Sequence, residues 1–261
     1  MNAMAKGVRD LIRRAAKGSS WSHFVDYASP ALFEVMPLRA LLAQGKEFVA
    51  NGSDARRYEK VRESVAASLN ARGLEVELGP QDEHAEGLSP RSLSEPLRRR
   101  TGHRILEIYF TQIFAGSDAI LDLRSDSFSA SEGSTLHWRP KAFYVQWQAD
   151  FLNGLRNLYA GFYRDDEARF DMGLRQLCLQ DSGDALLSHL GSGDQRSVRF
   201  ETSAFHTSFH DTFLACRDRG VALHRNFLAL GIYLVSLYDV LESLGLEFDV
   251  RGAFERSYVH S

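Results

Sequence analysis

Residues 104–114 read R-I-L-E-I-Y-F-T-Q-I-F. On a helix, these side chains put apolar groups around almost the whole circumference. Ile105, Leu106, Ile108, Tyr109, Phe110, Ile113 and Phe114 are interrupted only by Glu107, Thr111 and Gln112. A helix of this kind must be covered on nearly every side. The chain is therefore expected to wrap one buried helix in others. After it come a polar loop with Asp122, Asp126 and Ser127, a turn at Glu132-Gly133, a short extended piece at residues 135–138, and Pro140. That order predicts a small β-hairpin around residues 127–138.

The segment before this stretch reads as a smaller, mainly helical element, residues 1–96. Residues 5–17 place Val8, Leu11, Ile12 and Ala15 at helical spacing, with Lys6, Arg9, Arg13, Arg14 and Lys17 on the other face. A basic amphipathic helix can lie on an anionic membrane surface, or can be a solvated terminal helix. Residues 21–42 are apolar but broken by Pro30 and Pro37, which predicts short helices. Ser53 or Asp54 can cap the next helix, whose face is Tyr58, Val61, Val65 and Leu69. Residues 74–78 (L-E-V-E-L) alternate as a short strand. Residues 79–96 carry glycine, proline, acids and serines without an apolar period. A domain boundary is placed there, near residues 90–100, giving a second domain at 97–261. Arg98-Arg99-Arg100 reads as a solvated loop, with a phosphate or headgroup site as the rival reading.

Helical patterns resume after residue 142. Trp147, Phe151, Leu152, Leu155, Leu158, Tyr159 and Phe162 form one stripe, closed by Arg164-Asp165-Asp166. Phe170, Leu174 and Leu177 mark a shorter helix, residues 185–190 another, and Phe205, Phe209, Phe213 and Leu214 one that ends at Gly220. Residues 226–246 are dense in apolar side chains from Phe227 to Leu244 and predict a central buried helix, with Tyr233 and Tyr238 at its edges. Their longest charge-free apolar run, 226–238, is short for a bilayer. No transmembrane segment or signal peptide is expected.

The 261 residues are 44% hydrophobic and 25% charged, with a net charge of -3. This balance gives no global pull toward nucleic acid. Two cysteines, Cys178 and Cys216, cannot make a disulfide framework. A reducing, cytoplasmic compartment is the expectation.

The order of parts resembles the C-lobe of the AarF/UbiB-type atypical kinase-like family. That family has a buried helix of the form L-x-x-Y-F-x-Q-x-F, then H-x-D-P-x-x-x-N, a D-x-x-G hairpin and L-x-D-F-G. Residues 104–114 look like the helix. Asp122 falls on the loop Asp and Ser127 on the Asn. With one residue deleted, Arg139-Pro140-Lys141 falls on D-F-G. Further on, Leu223-His224-Arg225, the long helix, and Phe248-Asp249-Val250 with Phe254 and Tyr258 resemble the family's closing elements.

The resemblance implies a kinase-like helical domain over residues 97–261. It also exposes departures. The loop His is Ile120, the Asn is Ser127, and the metal-holding Asp is Arg139. Magnesium takes hard oxygen ligands, so a cation at 139 would repel it, though it could pair with a phosphate directly. The first hundred residues show no Gly-rich loop, V-A-I-K strand or K-x-G-Q signature.

Three functions are carried forward on a mainly α fold. The first is a degenerate, non-catalytic relative of that family, a pseudokinase-like binding or regulatory module. It would need no cofactor, and its partner would be a protein or a lipid-related ligand. The second is residual nucleotide-dependent chemistry. Asp122 would be catalytic, ATP and Mg²⁺ the cofactors, and Asp126, Ser127 and Arg139 the binding residues. The third is an unrelated helical metal protein using His206 and His210, which stand four residues apart. The lack of an H-E-x-x-H pattern and the phenylalanines interleaved with them on the helix, Phe205, Phe209 and Phe213, favour a structural role.

Overall fold

A computed structural model describes residues 39, 43, 44, 46–48, 54–81, 87–130, 135–180 and 197–258. The helices expected at 5–17, 21–42 and 185–190, and the turn at Glu132-Gly133, lie outside them or mostly so. The architecture is mainly α with small sheets, as the apolar periodicity predicts.

Helix α1 (Ala55–Asn70) begins at Asp54, whose carboxylate accepts from the Arg57 amide at 3.0 Å. It buries Val61, Val65 and Leu69. Strand β1 is Val76–Leu78. Helix α2 runs over Glu95–Ala115, with Pro96 in its first turn. It starts inside the stretch read as linker because a proline in the first helical turn costs no hydrogen bond. Arg98, Arg99 and Arg100 are therefore helical, not loop. Arg98 Nη1 donates to the Leu244 carbonyl at 2.7 Å, a favourable place for a cation.

From α2 the chain passes through β2 (Asp118–Ile120), β3 (Phe128–Ala130), β4 (Leu136–Trp138) and β5 (Tyr144–Gln146). Strands β3 and β4 form the expected antiparallel hairpin, with Phe128 opposite Trp138. Strand β1 adds to it in parallel, Val76 opposite Leu136. Strands β2 and β5 pair antiparallel. The Leu88 amide and carbonyl both bond to Ala130. The sheet therefore spans the boundary expected near residues 90–100, and Val65 and Leu69 share one core with Ile105, Leu136 and Leu237.

Helices α3 (Ala149–Tyr163) and α4 (Glu167–Leu177) form a close pair. A short strand β6 (Val198–Arg199) leads into α5 (Thr202–Asp218). Then come α6 (Asn226–Leu244), β7 (Glu247–Phe248), which pairs with β6, and α7 (Val250–Ser257).

Helix α6 is long and apolar enough to cross a membrane, but 78% of its most apolar window is buried within the fold. Tyr233 and Tyr238 are buried rather than at its edges, at 0% and 1% exposure. Burial is tolerated at Tyr233 because Gln112 Nε2 donates to its hydroxyl at 2.6 Å. Beside it, the Tyr109 and Tyr159 hydroxyls share a 2.6 Å hydrogen bond. Trp138 and Trp147 are buried core residues, as expected.

Candidate functional site

The loop between β2 and β3 is fixed from both ends. Gln112 on α2 turns its Oε1 toward the Ile120 amide, at 2.7 Å. Its other end serves Tyr233. This polar group inside an apolar helix therefore ties α2, β2 and α6 together. From α6, Ser236 Oγ accepts from the Leu123 amide at 2.7 Å, and Asp239 Oδ2 from the Ser125 amide at 3.3 Å. The next residues, 125–127, make a single 3₁₀ turn.

Asp122 stands in this loop at 1% exposure. Its Oδ1 accepts from Arg124 Nε at 2.7 Å, and its Oδ2 from Arg124 Nη2 at 3.0 Å and the Lys141 amide at 2.9 Å. Two parallel bonds to one guanidinium make a charge-assisted fork. A carboxylate has about four acceptor sites, so most are taken, and at this burial none is turned to solvent. Burial opposes the charge on Arg124, but its hydrogen bonds to Asp122 and the charges of Asp122, Asp126 and Asp239 together outweigh that and hold it above its ordinary range. The hydroxyl of Tyr58, which donates to the Pro140 carbonyl at 3.0 Å, is held well above its ordinary range by burial and then by the Asp122 charge.

None of the other three candidates bonds to the Asp122 carboxylate, although the Ser127 hydroxyl also lies 3.3 Å from the Asp122 carbonyl. Ser127 is buried and donates to the Arg124 carbonyl at 2.7 Å. Asp126 is 65% exposed, 3.7 Å from Arg124 Nη1. Arg139 points to β1: Nη1 donates to the Glu77 carbonyl at 2.8 Å and Nη2 to Glu77 Oε1 at 2.7 Å. The hydrogen bond from Arg139, with the neighbouring His137 and Arg139 charges, lowers the Glu77 pKa against the effect of burial. A Cβ on Gly79 would lie 2.6 Å from Arg139 Cζ, so the glycine makes the room Arg139 occupies. The indole of Trp138 donates to the Asp122 carbonyl at 2.9 Å and closes the loop against the hairpin.

Sequence reading missed Arg124, Glu77, Gln112 and Asp239. An Arg two residues after an Asp is a usable signal for the first. Glu77 and Asp239 act across long sequence separations, and nothing local marks them, whereas Gln112 stands out as a polar residue in an apolar helix but its partners Ile120 and Tyr233 do not show. His206 and His210 lie part-buried on α5. Burial lowers the His206 pKa. Among the described residues, no group of three or more His, Cys, Asp or Glu side chains is placed to hold a metal ion. His224 Nδ1 accepts from the Asn226 amide at 3.1 Å, at the start of α6, the capping role its position suggests.

Neither a family model nor a curated protein matches the chain.

Proposed function

We propose that this chain is a degenerate, non-catalytic relative of the AarF/UbiB kinase-like proteins and works as a binding or regulatory module. The ordered motifs from residue 104 to Tyr258 support the ancestry. One observation carries the loss of chemistry: the Asp122 carboxylate is buried and engaged by Arg124 and by the Lys141 amide. A group that handles a substrate proton has to reach that proton within hydrogen-bond distance. Asp122 instead holds its own loop together. Arg139, where a magnesium-holding carboxylate would stand, serves β1. The partner on this reading is a protein or a lipid-related ligand, met in the cytoplasm.

Thermal melting of the full chain with millimolar ATP, with and without Mg²⁺, tests the proposal. A ligand that binds the folded state raises the melting temperature by mass action. No Mg²⁺-dependent rise is expected. A clear Mg-ATP shift that disappears in Asp122→Asn would replace the proposal with residual nucleotide-dependent phosphotransfer or ATP hydrolysis.

A further inference from the structure

A cleft of about 290 Å³ opens between the α3–α4 turn and α7, lined by Tyr163, Arg164, Arg251, Phe254, Glu255 and Tyr258. Its volume sits at the lower edge of small-molecule pockets, roughly 300 Å³ and upward. None of its lining residues belongs to the Asp122 loop. Tyr163 and Phe254 are buried and form its floor.

Arg164 is exposed, and its guanidinium carbon lies 5.2 Å from the centre of the Tyr258 ring. Its backbone amide bonds to the Ala160 carbonyl, but among the described residues its guanidinium makes no hydrogen bond or ion pair. Tyr258 is itself fixed, because Arg169 Nη1 donates to its hydroxyl at 2.8 Å. Next to Arg164, Asp165 takes a left-handed backbone with φ 56. Its carboxylate accepts from Arg251 Nη2 at 2.9 Å. A non-glycine residue in that conformation is held there by its surroundings. It fixes the turn so that Arg164 and Arg251 both face the cleft.

We infer that this cleft binds a small carboxylate ligand, its carboxylate on Arg164 and Arg251 and its apolar body against the Tyr258 side of the cleft. The guanidinium fork matches both carboxylate and phosphate. Charge decides between them. Asp165 and Glu255 already pair with Arg251, at 2.9 Å and 3.5 Å. Their two negative charges leave Arg164 as the cation without a counter-charge. A single negative charge suits that balance, and a dianionic phosphate meets more repulsion.

The test titrates the full chain with benzoate and with phenyl phosphate, reading the arginine Nε–Hε resonances by NMR. Benzoate is expected to shift the Arg164 and Arg251 signals saturably. Arg164→Ala, an exposed position, should leave the melting curve unchanged and weaken benzoate at least about tenfold. Glu255→Gln removes a neighbouring negative charge and should tighten it. The inference is overturned by the absence of a saturable benzoate shift, or by benzoate affinity that Arg164→Ala leaves intact. Tighter binding of phenyl phosphate than of benzoate overturns the carboxylate assignment.

Discussion

Arg124 grips the carboxylate of Asp122, two residues before it, through both Nε and Nη2, at 2.7 and 3.0 Å. The pair is mostly buried, with Asp122 at 1% and Arg124 at 15% side-chain exposure. A buried pair of this kind adds little over an apolar replacement, but losing one partner strands the other charge. Its main effect is to define one conformation for the loop that the hairpin closes over.

Asp122→Ala is therefore expected to destabilise the chain by about 3–5 kcal/mol, in the range for breaking a buried pair. Chemical denaturation of Asp122→Ala, Arg124→Ala and the double variant measures it. The double variant should cost clearly less than the sum of the singles. Additive costs would mean the two side chains act independently. A free catalytic carboxylate would behave differently, because removing it would cost activity while leaving the melting curve near its starting point.

A chain that begins at residue 97 is expected to lose cooperative unfolding. It lacks β1, whose three residues pair with β4, and it lacks Val61, Val65 and Leu69 from the core. It also removes the Glu77 side chain and carbonyl to which Arg139 donates. A sharp calorimetric transition from residues 97–261 alone would support the division placed near residues 90–100.

Burial was the legible part of the sequence. Apolar spacing located α1, the core of α2, the α3 stripe and α6, because each must hide a patterned face. The hairpin was legible from its turn residues and the extended piece before Pro140. The start of α2 was not, since Pro96 signals a break and a helix start equally well. Of the candidate site, Asp122 was legible as an acid in a polar loop, but its partners were not. Its partners are Arg124 and the Lys141 amide, and its loop hangs from Ser236 and Asp239, more than a hundred residues away. Hydrogen bonds across such separations leave no period to read.

Acid should weaken the fold from about pH 6.5, the usual value for histidine, well above the carboxylate range. Burial pushes the His103 pKa down, helped by the Arg256 charge, and burial does the same at His224. Both rings accept backbone hydrogen bonds, His103 Nε2 from the Asp249 amide at 3.3 Å and His224 Nδ1 from the Asn226 amide at 3.1 Å. Below the unfolded value and above the lowered folded value, the unfolded chain holds protons that the folded chain refuses. Stability therefore rises with pH through that window and is fully present above it. Denaturation midpoints from about pH 5 to 8 should show this slope, and it should flatten in the His103→Gln, His224→Gln double variant. A midpoint that climbs as the pH drops below 6.5 would contradict the assignment.

Gly173→Ala is expected to be strongly destabilising. A Cβ there would lie 2.4 Å from the Leu158 backbone nitrogen, and one on Gly161 would lie 2.3 Å from the Phe170 nitrogen. Both obstacles are main chain, so α3 and α4 would have to separate. On propensity alone, alanine in a helix should gain up to about 1 kcal/mol over glycine. The sign of the change in melting temperature therefore decides whether α3 and α4 approach this closely, and a rise would refute the packing.

Leu237 and His210 provide the sharpest contrast between core and candidate ligand. Leu237 is 0% exposed in the middle of α6, among Leu230, Tyr233, Leu234 and Leu241. Truncating such a leucine costs about 2–5 kcal/mol, a large share of the roughly 5–15 kcal/mol that holds a domain together. His210 is only part-buried on α5, and its replacement by alanine should cost well under about 1 kcal/mol if no metal rests on it. Leu237→Ala should therefore be insoluble or melt far lower, while His210→Ala melts close to the parent chain. Elemental analysis of the purified chain supplies the independent reading. One zinc or iron per chain, lost in His206→Ala, would make the α5 histidines a metal site after all. An unchanged melting curve for Leu237→Ala would mean that α6 keeps an apolar face open at that position, for a membrane or a partner protein to cover.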